Sequence, residues 1–337
     1  MTSPEPLTLE ATSDRLRLLA RKGFLSEAGL SQALKLAGYR PDIPAWEWFL
    51  NYALLLLGTA FVLSGVFFFF AYNWNDLPRL AKFGAIEAAI VAAAALAYYQ
   101  GLQRLVGQVA LLAAAMLVGV LLAVYGQSYQ TGADAYQLFL TWAGLIFAWV
   151  VISAFGPLWF SWLVLLNLSL IFYWDQVVGQ DEIIMFELLF LLDAVALLAW
   201  EYGSGRGLAW LRSRWIPRLI ALAVFVALLW PVFAFVDAIQ NDEVEGVALI
   251  LAPILYVGFI GLAAWFYVTK IKDLLILTLG ALSLIVVITY VLVQVMDLFN
   301  GDALEFLLLG ILVIIQAGVA AVGLRWVANS WERTGQA

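Results

Sequence analysis

The chain has 337 residues, 65% of them hydrophobic and 12% charged, with a mean hydropathy of +0.96 and a net charge of −7. Soluble domains carry about 45–50% apolar and about 25% charged residues, so a water-soluble fold is excluded, and a soluble enzyme with it. Because the chain has neither Cys nor His, thiolate nucleophiles, disulfides, iron–sulfur clusters, His-ligated haem or zinc and Ser-His-Asp triads are excluded as well. The expected architecture is all-α: a polytopic transmembrane helix bundle of about ten spans, preceded by a short N-terminal cytoplasmic helical hairpin.

Residues 1–45 read as that hairpin. Leu16, Leu19 and Ala20 recur at helical spacing after Ser13-Asp14, and Gly23 stops the helix. Ser26 caps a second helix whose apolar positions are Leu30, Ala33, Leu34 and Ala37, and Gly38 closes it. Pro4, Glu5 and Glu10 stand where an apolar h-region would be, so no cleavable signal peptide is expected. A DNA-reading helix-turn-helix is the alternative for this segment. Through Glu47, however, it carries six basic and six acidic residues, without the positive footprint that phosphate binding requires. A juxtamembrane cap is the expectation, with no nucleic-acid partner.

Residues 46–337 form the transmembrane bundle, with Trp46-Glu47-Trp48 marking the headgroup region. The expected spans are 50–72, 81–99, 105–125, 136–155, 158–174, 183–200, 216–236, 247–268, 274–293 and 303–324. The fifth is the shortest and opens at Pro157, which suits a first helical turn. The 155–157 connection sets the parity: if spans four and five were one bent re-entrant unit, every later orientation would invert.

Ten spans with a cytoplasmic amino end place fifteen of the seventeen Lys and Arg residues inside; Arg79 and Lys82 are the exceptions. Both termini are therefore expected in the cytoplasm of a bacterial inner-membrane protein. Asp175, Asp237 and Asp297 each end an odd-numbered span, which suggests a repeated two-helix hairpin. Uniform helix length in an up-and-down bundle gives the same spacing.

Polar groups in hydrocarbon are costly and mark functional candidates. Asp193 lies near the middle of 183–200 with no basic residue inside any span to neutralise it. It reads either as a proton-relay or cation-coupling site, or as glue donating one interhelical hydrogen bond worth about 1 kcal/mol. Glu87 and Glu187 lie about two turns and one turn below the outer surface and would line a vestibule. Glu87 has a local alternative, a pair with Arg79 or Lys82. Ser64, Asn167 and Gln316 add polarity near the midplane and would join Asp193 if their helices meet. Glycines within spans, among them Gly119, Gly258, Gly261, Gly318 and Gly323, read as close helix contacts.

The most distinctive stretch runs Tyr125-Gly126-Gln127-Ser128-Tyr129-Gln130-Thr131-Gly132-Ala133-Asp134 and joins two spans at the outer face. Its glycines are expected to turn backbone amides toward a ligand, with Gln127, Tyr129, Gln130 and Asp134 at the mouth. Together with Ala71-Tyr72-Asn73-Trp74 and the N-terminal hairpin, it resembles the bacterial multi-pass family called domain of unknown function 2157, over roughly residues 10–175. That resemblance implies a bacterial inner-membrane protein and brings no activity, substrate or cofactor with it.

Three functions compete. A small-molecule or ion transporter or ligand-binding membrane protein would use the outer turn for access and Asp193 for coupling; against it stands a shortage of clear helix breaks inside the spans, for which the best candidates are Pro231 and Pro253, near the outer ends of the seventh and eighth helices. A non-catalytic structural, assembly or regulatory subunit would dock a membrane partner through its acidic outer turns or its hairpin. An enzyme on lipid-linked substrates would need Asp76 or the Asp181-Glu182 pair, in loops too short to build such a site. The expectation is a non-enzyme with no cofactor and no bound metal, whose constant partner is the lipid bilayer.

Overall fold

A computed structural model of the protein describes residues 11–37, 43–72, 78–295 and 303–334. These form twelve α-helices, and there is no strand among the described residues. Ten of the helices are long and apolar enough to cross a membrane. The chain divides into two compact units, residues 1–78 and 79–337. Asn73, Trp74, Asp76, Asp297 and Asp302 lie outside the described residues, as do Gly38 and Arg40.

The first unit holds α1 (Ser13–Arg21), α2 (Glu27–Leu36) and α3 (Ile43–Tyr72). The expected hairpin is present. Gly23 takes φ +78° at the stop of α1, a conformation open to residues without a Cβ. The Gly29 amide donates to Ser26 Oγ at 3.1 Å, satisfying one of the free donors at the start of α2. Helix α3 begins seven residues before the expected span. Pro44, in its first turn, costs no hydrogen bond there, and the tryptophans that mark the interface are themselves helical.

The second unit holds α4 (Arg79–Gln100), α5 (Leu105–Tyr129), α6 (Ala135–Ser153), α7 (Gly156–Tyr173), α8 (Glu182–Gly205), α9 (Trp215–Gln240), α10 (Val247–Phe266), α11 (Leu274–Val295) and α12 (Ala303–Thr334). Single π-turns extend α7 through Val178 and α10 through Ile271. The fifth span is thus 23 residues long, and the fourth, at 19, is the shortest, which corrects the expectation for 158–174. Hydropathy alone ended that span too early, because Asp175 and Gln176 are polar residues still carried in helical backbone.

Helices α6 and α7 pair antiparallel over their full length. Trp162 Nε1 donates to the Ala143 carbonyl at 3.1 Å, and farther along Phe139 and Phe172 stack with ring centroids 5.4 Å apart. Each is long and apolar enough to cross a membrane by itself. Helix α9 is the hub of the later helices, packing against α8, α10 and α11, with Val224 and Leu228 fully buried.

Gly119 marks a close contact, as expected. A Cβ there would lie 2.4 Å from the Trp142 ring, whose Nε1 donates to the Ala115 carbonyl one turn earlier at 2.7 Å. Gly258, Gly261, Gly318 and Gly323 do not mark contacts: no neighbouring heavy atom lies within 4 Å of a Cβ built at any of them. Their spacing followed sequence and not packing. Gly119→Val should lower stability by about 1–3 kcal/mol through overpacking. Thermal melting in detergent would show the loss, and Trp142→Leu in the same chain should restore part of it.

Candidate functional site

Helix α8 turns one stripe inward, made of Phe190, Asp193, Leu197, Trp200 and Glu201. It places two carboxylates on a buried face, about 12 Å apart along the axis. Asp193 is 2% exposed and sits at mid-helix, as Asn167 does on α7. Asn167 Nδ2 donates to Asp193 Oδ1 at 2.9 Å and to the Leu163 carbonyl of its own helix at 3.0 Å. No basic side chain bonds to Asp193 among the described residues.

The other midplane candidates lie elsewhere. Gln316 on α12 donates to Thr289 Oγ1 on α11 at 3.2 Å, and its buried Oε1 has no partner. Ser64 belongs to the first unit. Glu187 is half-buried with Oε1 unpartnered, one turn and a half from Asp193 on a different face of α8. Glu87 is exposed on α4, and Arg79 lies 5.8 Å over the Tyr129 ring.

The outer motif differs from its expected form. Gly126, Gln127 and Tyr129 belong to the last turns of α5; Gln130 ends the helix at φ +46°, and Asp134 precedes α6. Gly126 is therefore not a turn residue, and of the two glycines only Gly132 takes positive φ. Helical hydrogen bonding won because Val124 and Tyr125 continue the apolar run. The motif supplies an aromatic clamp in which Tyr129 lies 4.8 Å from the Tyr125 ring and 6.0 Å from that of Phe83 on α4. Gln127, Tyr129, Gln130 and Asp134 are all exposed at this end.

At the opposite end, four charged residues and a tyrosine form a cluster that sequence reasoning missed. Arg214 Nη1 donates to Glu201 Oε2 at 2.7 Å, and its Nη2 donates to Asp273 Oδ2 at 2.9 Å. Arg218 Nε reaches Asp273 Oδ2 at 3.1 Å, and the Tyr267 hydroxyl donates to Glu201 Oε1 at 2.9 Å. Asp273 Oδ1 also accepts the Leu275 and Ile276 amides, capping α11. Two acids meet two bases, so the cluster is neutral while joining α8, α9, the π-turn after α10 and the start of α11. Burial alone would push Asp273 up, but the hydrogen bonds and charges of Arg214 and Arg218 hold its carboxyl below the usual range. Burial alone would lower the Arg214 guanidinium, which Glu201 and Asp273 hold above its ordinary value.

Asp237, at the far end of α9, accepts from the Tyr290 hydroxyl at 2.7 Å and from Gln294 Nε2. Asp175, its counterpart in the proposed repeat, lies exposed in the π-turn after α7, so the two acids share no role in packing.

Residues 17–159 match a family model described as a predicted membrane protein, domain of unknown function 2157. The match runs from α1 into the first turn of α7, and Asn167, Asp193 and the ionic cluster all lie beyond it. No curated protein and no solved structure matches the chain. The chain is a membrane protein with multiple spans.

Asp273 is held low in the folded state, so its contribution is complete above about pH 4, the unfolded value, and is lost as pH falls through the folded value. Melting curves from about pH 7 to about pH 3 should show an acid slope that Asp273→Asn flattens. Arg214→Met, which strips the buried Glu201 of its cation and leaves Asp273 with Arg218, should cost about 3–5 kcal/mol at neutral pH.

Proposed function

We propose that this protein is a small-molecule or ion transporter or ligand-binding protein of the bacterial inner membrane, with Asp193 as the group that exchanges a proton or cation. One observation carries the reading: a 2% exposed carboxyl at mid-bundle whose hydrogen-bond partner is an amide and not a cation. Where an ion pair fixes a carboxylate's charge, an amide partner accommodates either form, because Asn offers both a donor and an acceptor. The contrast with Glu201, two turns away on the same stripe and fully paired, supports a role for Asp193 beyond packing.

Two prolines inside otherwise continuous helices bear on movement nearby. Pro231 is fully buried inside α9, and Pro253 lies inside α10; each removes one backbone donor from the ladder and clashes with the preceding turn. The distribution of Lys and Arg favours both termini in the cytoplasm, which puts the Glu201–Arg214–Asp273 cluster at the cytoplasmic end and Asp237 at the outer end. The reading is of a non-catalytic protein.

A pH jump on a solid-supported membrane carrying the protein reads proton uptake without a known substrate. Wild type should give a transient charge displacement that Asp193→Asn abolishes at unchanged folded abundance. Equal loss of folded protein and signal would mean that Asp193 is glue. An intact signal in the variant would move proton exchange to another group and overturn the role of Asp193, and no signal from wild type would turn the reading to a structural subunit.

A further inference from the structure

Below the Asn167–Asp193 pair, an apolar groove of about 460 Å³ runs between α7, α8 and the start of α9. It extends from Leu166, beside Asn167, to Trp210 on the 206–214 connection. Leu166 is ten residues from the start of α7, so the groove is about 15 Å long, half of a bilayer's hydrocarbon thickness. Tryptophans wall its lower part: Trp159 stacks on Trp210 at 5.8 Å, and Trp200 meets Trp210 edge-on at 5.6 Å. Val195 and Leu208 on its border are exposed, so the groove opens sideways.

The lining says what fills it. Trp200 and Trp162 satisfy their Nε1 donors on the Leu211 and Ala143 carbonyls, and the Trp159 Nε1 is itself buried, so the groove offers an occupant an apolar wall. Trp210 also borders a second pocket of about 450 Å³, lined by Gln108, Ser213 and the 154–157 connection. Arg212 follows the groove residues Trp210 and Leu211 and is exposed, and Arg104 lies exposed one turn before Gln108. An apolar channel one leaflet deep that opens sideways, continued past Trp210 by a second pocket with the exposed Arg212 next to its Ser213 in the chain, matches the tail and the charged headgroup of one amphiphile.

We propose that this is a binding site for an anionic phospholipid of the leaflet on the 206–214 side. One acyl chain lies in the groove, and the phosphate headgroup occupies the second pocket, beside Arg212. The proposal does not rest on proton exchange at Asp193.

Native mass spectrometry of the full chain released from detergent, with phosphatidylglycerol or phosphatidylcholine added, tests it. The expected result is a one-to-one phosphatidylglycerol adduct, with phosphatidylcholine retained about tenfold more weakly. Ala196→Phe, which fills the groove, should lower retention at least about tenfold. Arg212→Gln, which removes the cation beside the headgroup, should lower phosphatidylglycerol retention about three- to tenfold. If Ala196→Phe does not fold, Arg212→Gln decides. Wild-type retention in a folded Arg212→Gln or Ala196→Phe variant would overturn the site, and equal retention of the two lipids would overturn its anionic headgroup.

Discussion

In hydrocarbon no water is at hand to solvate a charge, so each ionised group must find its partners inside the chain. The buried stripe of α8 shows two answers to this constraint. Glu201 is met by Arg214 and by the Tyr267 hydroxyl, and through Arg214 it is tied to Asp273 and Arg218. Asp193 is met by the Asn167 amide. Full pairing gathers four helix ends into one neutral cluster, while amide pairing leaves a titratable group at mid-bundle.

Helix α9 converts these local pairings into an architecture. Its first turn supplies Arg218 to the cluster, its middle buries Val224 and Leu228, and its last turns tie Asp237 to Tyr290 and Gln294 on α11. It is thus anchored by polar contacts at both ends and carries Pro231 between them. The backbone ladder lacks one donor at Pro231, where the flanking contacts are apolar and non-directional. The Trp-walled groove lies between α7, α8 and the start of α9, where α7 and α8 meet less closely than α8 and α9 do.

The spans were legible because the need for about 20 apolar residues per crossing writes itself into composition. Their ends were less so: Trp46, Asp175 and Ser204 are residues that hydropathy counts as outside and that backbone hydrogen bonding keeps helical. Asp193 and Asn167 were each legible as costly polar groups, but their meeting was not, since it depends on how α7 and α8 rotate against each other. The Glu201 cluster escaped because Arg214 and Arg218 were read as charges marking a membrane side. The available signal was spacing: Glu201 stands eight residues after Asp193, on the same helical face. Around Gly126 the reasoning gave glycine too much weight as a turn former, when an apolar run and two tyrosines carried α5 to Tyr129.

The central claim is that two carboxylates on one buried stripe hold different offices, Glu201 structural and Asp193 functional. Chemical unfolding of Glu201→Gln and Asp193→Asn in the same detergent tests it most directly. The account predicts a loss of about 3–5 kcal/mol for Glu201→Gln, which leaves Arg214 short of a partner, and within about 1 kcal/mol for Asp193→Asn. Equal losses, or a greater loss at Asp193, would contradict it.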